Sequence, residues 1–367
     1  MTPEDFVILP AGTAAKYLAE GAANIVFRIS LPPSTPEETI VETYDDVTPP
    51  PSEIDSTPGW HKVFENKLLR LRKDISTTFP VRKSHENWKK YILPLFSPSE
   101  VVEQTLIFLR PSNIIANLND DLHANETANS GQDCVRPARR RGVFLADDEF
   151  GLLITDMTAS SPCSGTLEFK PKWLLQSPTA PQDAVRCRTC ARIARLNATN
   201  ARKHQPTYSA FCPLDLLSKD PKTLDKVTRQ LLRSSTSSKQ ALQVTKWLRT
   251  NTLLPKLRDL QAELDPKGVL EDPEDDKLRI AMTLRDCTVY LRFPPKASSC
   301  GKQSSNGNNI EKYENLEVEA RLGDLDLKSS AKVSYWIFME RGLIDEGWYT
   351  GTEKEEDKQP LTCALSK

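Results

Sequence analysis

The sequence predicts an α+β protein folded as two lobes, and three observations point there. At 367 residues the chain exceeds one ordinary hydrophobic core. Short runs rich in β-branched and aromatic residues gather before residue 157, while most segments with helical periodicity follow it. An acidic, proline-rich stretch at about 31–59 reads as an insertion between two strands of one sheet. The expected division is residues 1–157, a lobe built on an antiparallel sheet, and residues 158–367, a larger mixed α/β lobe.

Taken in order, residues 14–22 read as a short helix or turn leading to Gly21-Ala22-Ala23-Asn24. Ile25-Val26-Phe27-Arg28-Ile29 has strand composition. The small residues before it let backbone amides approach a phosphate, although a plain turn explains them equally well. In Lys67–Arg72, alternation puts Leu69 and Leu71 on one face and Arg70 on the other. Ser97-Pro98-Ser99-Glu100 is a capping-box pattern with proline at the first helical position, predicting a helix through about Leu109. Residues 119–133 are polar and read as a loop, and 151–157 as a buried strand. Leu167–Lys172 reads as an edge strand, because Pro171 has no backbone donor to give a neighbour.

Further on, Arg186-Cys187-Arg188-Thr189-Cys190 opens a basic helix, and 211–217 is an apolar packing segment with a helix start. Leu224, Val227 and Leu231 share one helical face, closed by the serine tract 234–238. Residues 240–264 are helical with a break near Pro255, 294–310 a loop, and 331–343 a helix.

Formal net charge is −1, so no global field draws the chain to nucleic acid or membrane. The charge is segregated: 35–56 is acidic, whereas 136–141 and 186–203 are strongly basic, so a polyanion would meet a local patch. No secretory leader is visible at Met1–Phe6, and no apolar run approaches the ~18 residues of a membrane span. The eight cysteines then read as reduced thiols of a nuclear or cytosolic protein. Cys187 and Cys190 form a C-x-x-C without a second pair at zinc spacing, so structural or incidental thiols are expected rather than a metal site.

The chemistry gathers in three stretches. Glu168, Lys170 and Lys172 would share one strand face, and two adjacent ammonium groups call for an anion between them. Asp286 lies in Arg285-Asp286-Cys287-Thr288. Asp324, Asp326 and Lys328, separated by leucines, would face one way on a strand, and paired carboxylates suit Mg²⁺ with substrate phosphates. Phosphoryl transfer needs a phosphate-covering loop, a cation behind it, a metal-binding carboxylate and a carboxylate at the acceptor hydroxyl. Gly21–Asn24, Arg70, Asp324 and Asp286 fill those places in the chain order kinases use. The protein-kinase signature itself is missing: there is no G-x-G-x-x-G, Arg70 replaces the strand lysine, and Asp-Leu-Asp replaces Asp-Phe-Gly.

With Cys187–Cys190, Cys212-Pro213-Leu214-Asp215-Leu216 and Glu168-Phe169-Lys170-Pro171-Lys172 added, the set resembles the inositol-pentakisphosphate 2-kinase family, in its fungal form. The resemblance implies a two-lobe kinase-like fold with an inositide-binding segment in the C-terminal lobe. It implies ATP and Mg²⁺, and transfer of the γ-phosphate to the 2-hydroxyl of inositol pentakisphosphate, giving inositol hexakisphosphate, by a monomer. It makes Asp286 the base and Asp324 and Asp326 the metal ligands. Gly21, Ala22, Asn24, Arg70, Asp156, Met157 and Glu168 would serve ATP. Arg136, Arg140, Lys170, Lys172, Arg195, Lys328 and Lys332 would grip substrate phosphates, with Arg192 an alternative to Arg195 and Lys332 standing where the family tends to have arginine. Tyr335 or Trp336 stands near a family tyrosine, an expected asparagine pair is missing around 234–239, and the zinc site of plant members has no counterpart in the sequence. Five phosphates at about −1.5 to −2 each demand several converging cations. An inositol-phosphate kinase with another acceptor position, or a non-catalytic cleft for inositol phosphates or RNA, remains open. Asp286 and Asp324 weigh against the second, since anion binding gains nothing from carboxylates.

Overall fold

The computed structural model describes residues 6–32, 61–128, 134–159, 164–232, 238–293 and 318–366. Most of the acidic insertion, most of the serine tract and the 294–310 loop lie outside the described residues, as does most of the stretch around 234–239. The chain divides into two compact units, Met1–Glu86 with Glu103–Asp156, and Asn87–Val102 with Met157–Lys367.

The first unit is built on a six-stranded sheet. Its strands are β1 (Val7–Ile8), β2 (Ala14–Glu20), β3 (Asn24–Ser30), β4 (Lys67–Arg72), β5 (Gln104–Phe108) and β6 (Phe150–Thr155), in the order β1-β5-β6-β4-β3-β2. All neighbours run antiparallel except β1 and β5. Phe27 faces Leu69 and Leu69 faces Leu153 across the middle of the sheet, so the β-branched and leucine-rich runs pair with one another. Their inner faces join Leu9, Ile107, Leu109 and the helix α3 (Ile114–Ala128) in one core.

Three sequence expectations change here. Residues 14–20 are a strand, not a helix: pairing with β3 overrides the helical preference of an alanine-rich run. The capping box at Ser97–Glu100 forms, but it closes only a 3₁₀ turn, and residues 104–108 enter the sheet as β5. Polar residues 119–128 are not a loop. They belong to α3 (Ile114–Ala128), whose buried Ile114, Leu118 and Leu122 recur at helical spacing inside a hydrophilic surface. Short helices α1 (His61–Phe64) and α2 (Val81–Asn87) complete the unit.

The second unit has a three-stranded antiparallel sheet, β7 (Gly165–Phe169), β8 (Thr288–Phe293) and β9 (Glu319–Gly323), in the order β7-β8-β9. β7 is an edge strand, as Pro171 predicts. The helices are α4 (Arg188–Arg202), α5 (Pro221–Leu232), α6 (Ser238–Thr250), α7 (Leu253–Leu264), α8 (Asp276–Leu284) and α9 (Val333–Asp345). Leu224, Val227 and Leu231 pack inward as their spacing requires. The break between α6 and α7 falls at 251–252, and Pro255 sits in the first turn of α7, where its missing donor costs nothing. The segment 87–102 joins this core through Trp88, Ile92, Phe96 and Val101. No described helix is long and apolar enough to cross a membrane.

Candidate active site

Within the second unit, lysines 42 to 116 positions away in sequence meet at one carboxylate. Lys172 Nζ donates to Asp286 Oδ1 at 2.7 Å, and Lys328 Nζ to Asp286 Oδ2 at 2.7 Å. Lys170 Nζ donates to the Asp286 backbone carbonyl at 2.6 Å and to Asp324 Oδ2 at 3.3 Å, and lies 3.8 Å from Asp286 Oδ1. Thr288 Oγ1 donates to Asp324 Oδ2 at 2.5 Å. Burial pushes the Asp286 carboxyl up, but Lys328, Lys172 and Lys170 together overcome it and hold it well below the usual carboxylate range. Burial lowers Lys172 from its ordinary value; Asp286 opposes this, and the charges of Lys170 and Arg192 add to it. Lys332 is lowered by burial and then by Lys328.

The cluster is held from behind. Asp286 follows the end of α8, where its N–H donates to the Thr283 carbonyl at 3.0 Å. Thr283 Oγ1 accepts the Lys328 N–H at 3.0 Å, and Arg279 Nε donates to the Lys328 carbonyl at 2.9 Å. Gln261, fully buried on α7, donates to the Lys172 carbonyl and accepts from the Leu174 N–H, both at 3.0 Å. Arg285 lies 3.6 Å over the Trp173 ring and pairs with buried Asp265, fixing the backbone on either side of Asp286 and Lys172.

Two strand-face expectations fail for a backbone reason. β7 ends at Phe169 and Lys172 has φ +57°, so strand alternation does not place Lys170 and Lys172 together; converging side chains do. β9 likewise ends at Gly323, and Asp324 has φ +55°. Burial still alternates beyond it, with Leu325 and Leu327 in the core and Asp324 exposed.

Two arginines expected at substrate phosphates have partners within the protein. Arg136 is fully buried in the first unit, donating to Glu20 at 2.9 Å and pairing with Glu126, so its fork is already used. Arg195 donates to Glu346 at 2.9 Å and lies 5.8 Å over Phe338, whereas Arg192, one turn earlier on α4, is exposed and close enough for its charge to reach Lys172. Of the two aromatic candidates, Trp336 is core and Tyr335 exposed.

The remaining residues sit as follows. Gly21, Ala22 and Asn24 form the β2–β3 hairpin turn, with the Gly21 N–H donating to Asn24 at 2.9 Å. Arg70 is buried on β4, and Asp156 pairs with Arg28 at 3.4 Å. Arg140 is half-buried in the first unit; Met157 is buried in the second, where Glu168 is exposed on β7 opposite Tyr290.

The cysteines gather in space. Cys187, Cys190, Cys212 and Cys363 place their sulfur atoms within 4.8 Å of one another. The second pair is there, separated in sequence by 151 positions and therefore invisible to a spacing rule.

The family model of inositol-pentakisphosphate 2-kinase matches residues 17–342. The chain belongs to the inositol-pentakisphosphate 2-kinase family. It is 31% identical over 191 residues to an inositol-pentakisphosphate 2-kinase of Yarrowia lipolytica, covering 51% of this chain and 54% of that one. It is 27% identical over 219 residues to that of Cryptococcus neoformans var. neoformans, covering 56% and 43%, and 27% identical over 198 residues to that of Debaryomyces hansenii, covering 48% of each. The chain spans about half the length of the curated relatives it matches. Thr288, Gln261 and Thr283 hydrogen-bond to Asp324, Lys172 and Lys328, and motif reading does not single them out. Thr288 is part of Arg285-Asp286-Cys287-Thr288, but nothing in its residue type marks it as the partner of Asp324.

Proposed function

We propose that the protein is an ATP-dependent kinase that phosphorylates the 2-hydroxyl of inositol pentakisphosphate to give inositol hexakisphosphate. The observation that carries this is the convergence of Lys170, Lys172 and Lys328 on Asp286, with Asp324 beside them. With Lys332 included, lysines outnumber aspartates, so the cluster suits a highly charged anion. A site for simple anion storage would not centre on a carboxylate, which favours an enzyme over a binding module.

Asp286 stays ionised throughout the neutral range and is the group to accept the acceptor hydroxyl's proton. In our reading, Lys170, Lys172 and Lys328 exchange carboxylate partners for substrate phosphates. That exchange weakens their hold on Asp286 and raises its basicity as the substrate arrives. Arg192, rather than Arg195, supplies the α4 cation.

Asp324 and Asp326 fit Mg²⁺: Asp324 is an exposed carboxylate oriented by Thr288, and hard oxygen donors are what this ion takes. When bound, the ion would neutralise charge on the transferring phosphoryl group. Gly21, Ala22, Asn24 and Arg70 in the first unit are assigned to ATP phosphates. Asp156, Met157 and Glu168 are assigned to the nucleotide. ATP as donor fits an intracellular enzyme, nuclear or cytosolic, acting as a monomer.

The test is incubation with ATP, Mg²⁺ and the pentakisphosphate that lacks only the 2-phosphate, followed by separation of the products. Formation of hexakisphosphate by wild type, but not by Asp286→Asn, is expected. No turnover by wild type, or full turnover by the variant, contradicts the assignment. Lys170→Ala should weaken inositide binding more than ATP binding.

A further inference from the structure

We infer that Lys73 and Glu20 are positioning residues that hold the β2–β3 turn in place for the phosphates of the nucleotide. The inference rests on the assignment of Gly21, Ala22 and Asn24 to ATP phosphates. Gly21, Ala22 and Ala23 carry only hydrogen or methyl side chains, and Gly21 and Ala22 are exposed, so the turn has little of its own to pack with. Nothing in the backbone demands glycine at 21: its φ lies outside the left-handed region, and an added Cβ would meet no atom within 4 Å among the described residues. That room suits a close approach of phosphate oxygens to backbone amides. What fixes such a turn has to come from its neighbours.

Lys73 follows the end of β4 and grips the turn on both sides. Its Nζ pairs with Glu20, the last residue of β2, and donates to the Gly21 carbonyl at 3.0 Å. Its backbone N–H donates to the Ala23 carbonyl at 2.8 Å, and the Gly21 N–H donates to the Asn24 carbonyl at 2.9 Å. Glu20 accepts four hydrogen bonds, one each from Tyr17 and Lys73 and two from Arg136, which fills the lone pairs of a carboxylate. Lys73 is held from the other side by a bridge to Leu145, and the N–H of Asp74 donates to the Phe144 carbonyl at 2.9 Å. The Lys73 side chain is 1% exposed and that of Glu20 0%, so neither touches a ligand; both act through the turn they hold.

The charges of the network balance, Glu20 and Glu126 against Lys73 and Arg136. Removing Lys73 alone leaves two carboxylates against one guanidinium. Neutralising Glu20 and Lys73 together leaves Arg136 with Glu126, so no buried charge goes unmatched. The pair can therefore be taken out with its cost in stability kept small, while the side-chain bond to the Gly21 carbonyl is lost. That separates holding the turn from holding the fold.

In the full chain, Lys73→Met should lower Tm, because it unbalances the buried charges. The double variant Glu20→Gln/Lys73→Met should recover most of that loss and still have a loosened turn. In it, amide hydrogen exchange at residues 21–24 should speed up, and ATP binding read by calorimetry should weaken about tenfold, the cost of ordering roughly one residue's backbone anew. Inositide binding, measured the same way without nucleotide, should stay at the wild-type value, a split that lost stability alone would not produce. Unchanged exchange across the turn in the double variant overturns the inference, as does ATP affinity that recovers together with Tm, or an equal loss for both ligands. Exchange is read without nucleotide, so absence of turnover by wild type sinks the kinase reading while exchange still decides whether the pair holds the turn. Unchanged exchange in a protein that makes hexakisphosphate sinks only the inference.

Discussion

Two groups of opposite charges in this molecule look alike on paper and differ in physics. In the first unit Glu20 pairs with Lys73 and Arg136, and Arg136 also with Glu126; the side chains of Glu20 and Arg136 are 0% exposed. Burial pushes the Glu20 carboxyl up, but the Arg136 and Lys73 bonds leave it lowered. Each side-chain nitrogen of Arg136 has a partner inside the protein, the carbonyls of Arg140 and Val143 among them. In the second unit Asp286 is 41% exposed and Lys170 38%, and cations outnumber carboxylates. A satisfied, dry network stabilises a fold, whereas a half-wet one with surplus charge is available to a ligand.

The sharpest test of that contrast is Asp286→Asn, which should cut turnover about 10²–10⁴-fold, as loss of a general base does, while leaving the fold in place. A matching loss of thermal stability would instead put Asp286 in the structural class. Arg136→Ala should do the reverse. Breaking a buried charge network costs about 3–5 kcal/mol, read as a lower denaturation midpoint. Next come Lys172→Ala and Lys328→Ala, each removing a charge-assisted hydrogen bond of about 1.5–3 kcal/mol, so inositide affinity should fall roughly ten- to hundredfold. Arg192→Ala should raise the inositide KM more than Arg195→Ala does; equal effects would remove the distinction drawn from the Arg195–Glu346 pair.

The smallest effect is on pH. The folded pKa of Asp286 is depressed, so its contribution to stability is present above the unfolded value of about 3.9 and is lost as pH falls through the lower folded value. Asp286→Asn should flatten the stability profile below about pH 4, modestly, because solvent screens a half-exposed group. An unchanged acid limb would argue against the lysine cluster as drawn.

Local pattern was legible wherever one residue type decides one feature. Pro171 marked an edge strand, Leu224, Val227 and Leu231 marked a buried helix face, and the leucines of 322–327 marked an inward-facing run. The misreadings at 14–22, 97–109 and 119–133 arose where partner strands or a distant core outweighed weak local preferences. Arg136 and Arg195 show a related effect: an arginine in a basic run looks free until carboxylates such as Glu20 and Glu346, over 100 positions away, are found.

By itself the sequence determined the class of elements, the family motifs and the chemical types present, because propensity, periodicity and charge are properties of neighbours in the chain. Tertiary structure alone decided which lysines meet Asp286, which arginines are already occupied, and that four cysteines up to 176 positions apart share one spot. Those outcomes depend on distances that chain order does not encode. A charge or a thiol acquires its role from what folding brings within a few ångströms of it.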